Sequence, residues 1–288
     1  DQAGNLVQAW GGPGQGYEWP ESNHGIFVET NGTVWIAGNG ANDGQILKFT
    51  RNGKFIKQFG FAWANAGSTD LWAFRQPAKV FVDEPNKEAY IADGYGNHRV
   101  AVLDSETGAF KRIWGAYGNK PDDVNYGRYR PDQPPLKQFR NPVHCADVSV
   151  DRFVYVCDRV NDRIQVFRPD GTFVKEQFYE KETLGSGSVW DIAFSKDPQQ
   201  KYLFLADGMN QRIHVIERES LQVITSFGDG GRVPGTFFGV HSIAIDSKGN
   251  LYTTETWEGK RIQKFAYKGL ASVPRGYQGV VWPKATSR

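Results

Sequence analysis

The chain has 288 residues, and its 34 Lys and Arg against 32 Asp and Glu leave a net charge of only +2. Charges so balanced and interspersed argue against nucleic acid or an anionic membrane as the main partner, and no hydrophobic run is long enough to span a bilayer. The 14% aromatic content, with 9 Trp and 12 Tyr, suits tightly packed sheets and an aromatic-lined mouth.

In chain order the first element is residues 4–11, Gly-Asn-Leu-Val-Gln-Ala-Trp-Gly, which read as a fourth strand with no first three ahead of it. Five repeats follow at intervals of roughly 45 to 65 residues, the spacing of propeller blades. They begin at His24-Gly-Ile-Phe-Val, Val80-Phe-Val-Asp, His144-Cys-Ala-Asp-Val, Trp190-Asp-Ile-Ala-Phe and His241-Ser-Ile-Ala-Ile. Each runs into a second apolar strand, a third such as Arg163-Ile-Gln-Val-Phe, and a Gly-led turn into a fourth such as Gly108-Ala-Phe-Lys-Arg-Ile-Trp. Short alternating strands with Gly, Asn and Asp turns predict an all-β chain, and no window sustains a helical period. Residues 1–288 are expected to form a single β-propeller domain, with Gly276-Tyr-Gln-Gly-Val-Val-Trp as the last fourth strand.

Three repeats open on histidine, and they alternate with two that do not. His24, His144 and His241 hold the start of the first strand, where Trp190 and either Ala78 or Lys79 stand in the others. In a propeller that strand lines the central channel and its first residue lies at one mouth. Three neutral imidazoles converging there would leave open coordination positions, the arrangement of a catalytic Zn²⁺. Alternation has three-fold geometry in a six-bladed ring but not in a five-bladed one. The expectation is therefore five full blades plus one isolated strand of a sixth, most of which would lie upstream of Asp1; closure of a five-bladed ring by residues 4–11 is the alternative. His98 and His214, placed on third strands, are read as structural or surface residues.

Other candidates flank these histidines. Asp158 and Glu255, at second-strand ends, could orient imidazoles, although Asp93 and Asp207 fill the same slot in repeats without histidine. Tyr95 and Arg159 follow such ends and should face the mouth, where a cation suits a carboxylate-bearing substrate and a phenol can act as a base. Cys145 lies across a predicted hairpin from Cys157, so a disulfide is possible; two reduced, buried thiols fit equally. The loop 116–140 carries Tyr126, Tyr129, Arg128, Arg130 and Arg140, and with Trp63, Trp72 and Phe237-Phe238 it should surround the same mouth.

The repeats resemble NHL-repeat β-propellers, with Asn161-Asp-Arg-Ile and Asn210-Gln-Arg-Ile as signature segments. More specifically, the chain is similar to the catalytic lobe of the peptidyl-α-hydroxyglycine α-amidating lyases, six-bladed propellers that hold zinc with three channel histidines. The resemblance rests on His24-Gly-Ile, Ala92-Asp-Gly-Tyr95-Gly-Asn-His-Arg-Val, Pro142-Val-His-Cys-Ala, Val156-Cys-Asp-Arg159 and Val240-His241-Ser-Ile. It implies His24, His144 and His241 as zinc ligands, Tyr95 as catalytic base, Arg159 as a substrate-site arginine, and a periplasmic or extracellular setting. The implied reaction cleaves a carbinolamide N–C bond to an amide and glyoxylate.

The chain also departs from that family. The blade that carries its second active-site arginine is absent. Ser242 stands where an Asp would help hold calcium, which puts Ca²⁺ in doubt; Gly96 replaces a cysteine, Gly239 replaces a bulkier side chain beside the zinc and should widen the pocket, and loop 116–140 is longer. A diverged substrate is therefore expected. Two other readings are a non-catalytic NHL propeller acting as a binding platform, and a metal-dependent propeller hydrolase such as a lactonase, whose usual Glu, Asn and Asp ligands are replaced here by imidazoles.

Overall fold

The computed structural model describes residues 1 and 3–271. Strands dominate; the helical elements among the described residues are three-residue 3-10 turns, none long and apolar enough to cross a membrane. Contacts divide the chain into two compact units, Asp1–Leu184 and a second beginning at Gly185.

The first unit holds three four-stranded antiparallel blades. The first blade comprises β1 (Asn23–Val28), β2 (Val34–Gly38), β3 (Gln45–Phe49) and β4 (Phe55–Gly60). The second comprises β5 (Lys79–Asp83), β6 (Glu88–Asp93), β7 (Arg99–Asp104) and β8 (Phe110–Trp114), and the third β9 (Val143–Val148), β10 (Val154–Asp158), β11 (Arg163–Phe167) and β12 (Phe173–Phe178). Strand order follows chain order, as hairpin connections require. Middle strands are apolar where one blade packs on the next: Trp35, Phe59, Phe74, Val80 and Ile91 fill the space between the first two blades. Tyr90, Trp114, Phe139, Val156 and Phe167 do the same between the second and third. Burying each such ring stabilises the fold by about 2–3 kcal/mol.

In the first unit a glycine before each fourth strand sets how closely neighbours approach, whereas Leu221, at φ +61°, holds that place before the fourth strand of the next blade. Gly108 has φ +81°, and a Cβ there would come within 2.5 Å of the Phe59 ring; Gly171, with φ +90°, stands in the same relation to Trp114. Gly53 repeats it against Trp10. Residues 4–11 do not form the predicted strand and join none of the described sheets. Trp10 still takes the packing position of a preceding fourth strand, 5.3 Å from the Phe49 ring and donating from Nε1 to the Arg51 carbonyl at 3.0 Å.

The signature residues Asn161 and Arg163 belong to a buried clasp. Asp158 accepts from Arg163 Nε and Asn161 Nδ2, both at 2.8 Å, and from the Arg140 amide at 3.0 Å. Asp93 makes the same bonds to Arg99, Asn97 and Arg75 in the second blade. Removing one member of such a fully buried pair costs about 3–5 kcal/mol, because the other charge is stranded.

The second unit contains a four-stranded blade of β13 (Asp191–Phe194), β14 (Tyr202–Asp207), β15 (Arg212–Glu217) and β16 (Gln222–Phe227). A three-stranded sheet follows: β17 (Val240–Ile245), β18 (Leu251–Glu255) and β19 (Ile262–Phe265). The fourth strand expected at Gly276 lies outside the described residues. Phe237, assigned from sequence to the mouth, is instead fully buried in this unit's core with Ile213, Val240 and Ile243, while Phe238 stays part-exposed. A ring that size lowers free energy more by filling the inter-sheet space than by lining a wet opening.

Candidate metal centre

Each histidine-bearing first strand carries one extra residue at the histidine. Across β9 and β10, Asp158 faces Val143 and Cys157 faces Cys145, which leaves His144 without a partner. Across β17 and β18, Glu255 faces Val240 and Thr254 faces Ser242, leaving His241 unmatched. Between β1 and β2 the register slips likewise between Asn23 and Ile26, the segment holding His24. The two first strands without histidine, β5 and β13, pair with no slip. A bulge interrupts the two-residue alternation and re-aims a side chain, so the irregularity coincides with the residues it redirects.

In the first unit the bulges bring His24 and His144 together with Tyr95. The imidazole centroids are 5.0 Å apart and nearly perpendicular. His24 Nε2 and His144 Nε2 each lie 3.1 Å from Tyr95 Oη. His24 Nδ1 lies 2.7 Å from the Ala78 carbonyl, which must accept its proton and so leaves Nε2 as the basic nitrogen. Arg159, in the 3-10 turn Arg159–Asn161 after β10, donates from Nη1 to Tyr95 Oη at 3.0 Å. Burial pulls the Arg159 guanidinium below its ordinary pKa, opposed by the neighbouring phenol.

Sequence reasoning missed the support beneath Tyr95. Asn141 Nδ2 donates to the carbonyls of Gly94, Tyr95 and Asn97, holding the turn that presents the phenol. His98, which precedes β7 rather than lying in it, bonds Asn141 Oδ1 through Nε2 and the Asp122 carbonyl through Nδ1 at 2.9 Å. Its reading as a structural residue fits these bonds. His214 is likewise held within its blade by Ser226 and Asp207.

In the second unit His241 stacks edge-on against Trp190 at 5.3 Å, and its Nδ1 sits 3.0 Å from Ser242 Oγ. Ser242, where the family would place a calcium-binding Asp, thus contacts an imidazole. Gly239 has a local cause too: with φ +72°, a Cβ there would meet the Trp257 ring at 2.8 Å. Glu255 is engaged by Arg261 Nε at 2.5 Å, Gln263 Nε2 at 2.8 Å and the Phe238 amide. Like Asp158, it is a clasp; the expectation that these two carboxylates orient imidazoles gives way to backbone and hydroxyl oxygens at His24 and His241.

Cys145 and Cys157, directly paired across β9 and β10, form a disulfide with Cα atoms 4.8 Å apart. Trp63 and Trp72 are exposed. In the first unit His24 and His144 offer imidazole nitrogens that could ligate a metal ion, and in the second unit His241 offers one. Anchoring Nδ1 on an oxygen, as at His24 and His241, is how proteins fix a ring so that Nε2 can ligate.

No family model matches the chain. NHL repeat-containing protein 3 of Mus musculus is 27% identical over 266 residues, covering 85% of this chain and 67% of that protein. Peptidylglycine α-amidating monooxygenase of Rattus norvegicus is 30% identical over 262 residues, covering 86% of this chain; the chain spans only 24% of that protein's length. Among solved structures, a protein of unknown function from Bacteroides caccae aligns with a TM-score of 0.55 at 14% identity, over 86% of this chain and 74% of that one, a likeness of fold alone. With five repeated sheets whose first strands pack against their neighbours within each unit, the chain is an NHL-type β-propeller that resembles the peptidylglycine α-amidating monooxygenases.

Proposed function

We propose that the protein is a zinc-dependent lyase that cleaves a carbinolamide N–C bond of an α-hydroxyglycine-like substrate, giving an amide and glyoxylate or a related aldehyde. The observation that carries this reading is the Tyr95 hydroxyl, within 3.1 Å of two imidazole Nε2 atoms and bonded by a buried arginine. His24, His144 and His241 are the proposed ligands. Zinc held by three imidazoles would supply Lewis acidity toward the substrate hydroxyl.

The chain's own groups would do the rest. Tyr95 Oη would accept the proton from the substrate hydroxyl; the electron pair left on that oxygen would form the C=O bond of the aldehyde as the N–C pair departs with the amide nitrogen, which would take the proton back from Tyr95 Oη. Arg159 would bind the substrate carboxylate and keep the phenol oriented, and Asn141 would hold the turn that carries Tyr95. The Cys145–Cys157 disulfide supports an oxidising compartment, periplasmic or extracellular.

The experiment is metal content by plasma mass spectrometry on the wild type and His144→Ala, followed by glyoxylate release from an N-acyl α-hydroxyglycine. About one zinc per chain, lost in the variant, with glyoxylate release by the wild type, is the expected result. Equal metal content in both proteins rules out the ligand set, and a loaded protein that releases no glyoxylate rules out the reaction.

A further inference from the structure

The segment between β8 and β9 folds onto the third blade. Tyr129 Oη donates to the Lys181 carbonyl at 3.0 Å, Arg163 Nη2 to the Leu136 carbonyl at 2.8 Å, and Arg140 Nη1 to the Tyr126 carbonyl at 3.0 Å. At its other end Asp123 accepts from Ser68 Oγ at 2.6 Å. These ties shape a cavity of about 170 Å³ that lies wholly within the first unit.

The charges lining the cavity are one-sided. Arg128, Arg130, Arg140, Arg163 and Lys181 face it, and no carboxylate does. Arg163 is neutralised by Asp158 at 2.8 Å and Glu176 at 3.3 Å, and Arg130 by Asp132 at 3.6 Å. Arg128, Arg140 and Lys181 have no ion-pair partner among the described residues. Arg140 is part-buried, its side chain bonds only carbonyls and Asn161, and burial lowers its pKa against the pull of Asp158. Leu136, Pro134, Pro135 and Phe178 supply apolar wall between the cations.

We propose that this cavity binds a small free organic acid, its carboxylate held by Arg128 and Arg140 and its apolar body laid against Leu136 and Phe178. A planar guanidinium fork suits a carboxylate's two oxygens. The volume falls below the roughly 300 Å³ at which drug-sized pockets begin, which favours a small acid over a peptide chain. None of its lining residues is a proposed zinc ligand.

Calorimetric titration with 3-phenylpropionate and its neutral amide, 3-phenylpropanamide, tests this on the wild type, Arg128→Gln and His144→Ala. Arg128 makes no hydrogen bond that holds the loop, so its replacement should leave the fold intact. The acid should bind saturably to the wild type and His144→Ala alike and about tenfold more weakly to Arg128→Gln, with the amide at least about tenfold weaker than the acid throughout. The proposal is overturned by absence of saturable acid binding, by equal binding of acid and amide, or by loss of binding in His144→Ala with retention in Arg128→Gln. That last pattern would put the acid at the imidazoles.

Discussion

Tyr95 Oη and His144 Nε2 meet at 3.1 Å across 49 residues of sequence. The contact depends on two local irregularities: the bulge that re-aims His144, and the turn after β6 that Asn141 holds in place. Its test is Tyr95→Phe, which removes one oxygen and leaves the ring packing between the imidazoles. Metal content should match the wild type while kcat for glyoxylate release falls about 10² to 10⁴-fold, the span of a lost general base. A variant with full turnover would remove Tyr95 from the chemistry.

Arg159 is buried, and its guanidinium donates to the phenol. Arg159→Ala should raise KM for carboxylate-bearing α-hydroxyglycines about tenfold or more while changing KM for the corresponding amides much less. An equal rise for both substrates would assign Arg159 to holding Tyr95 alone.

The disulfide closes a short hairpin beside His144. Replacing both Cys145 and Cys157 with Ala should lower unfolding free energy by about 3 kcal/mol, measured by urea titration, because the loop it closes spans 12 residues. Addition of reductant should destabilise the wild type by a similar amount and leave the double variant unchanged.

Glu88 gives the second blade a pH dependence. Burial acts to raise its pKa, but bonds from Arg112, Lys111 and Tyr90 prevail and hold it at about 2. A carboxyl depressed in the folded state stabilises above its unfolded pKa, and that stability is lost as pH falls through the folded value. The wild type should therefore lose stability between about pH 4.5 and pH 2. Glu88→Gln should be less stable at pH 7 and show a shallower decline across that window, read as Tm against pH.

The blades and their strands were legible in the sequence because they follow from local rules. Two-residue alternation and Gly-led turns specify hairpins, and the recurrence of those hairpins specifies a propeller. The histidine register was legible for the same reason. Residues 4–11 show where this fails: their alternation reads as a strand, yet a strand exists only where a neighbour supplies hydrogen bonds, and only the packing of Trp10 survives.

Tertiary structure decided what pattern cannot encode. A one-residue bulge depends on the pairing of two strands, so the aim of His24, His144 and His241 was invisible to alignment. Asp158 and Glu255 sit at the right strand ends to orient imidazoles, but competition for their oxygens made them clasps for arginines instead. Asn141 carries no motif; its importance arises because three backbone carbonyls converge on one amide. The sequence alone determined which residues open each first strand, since periodicity is local, whereas the direction each side chain takes was settled by long-range pairing and by competition among buried polar groups.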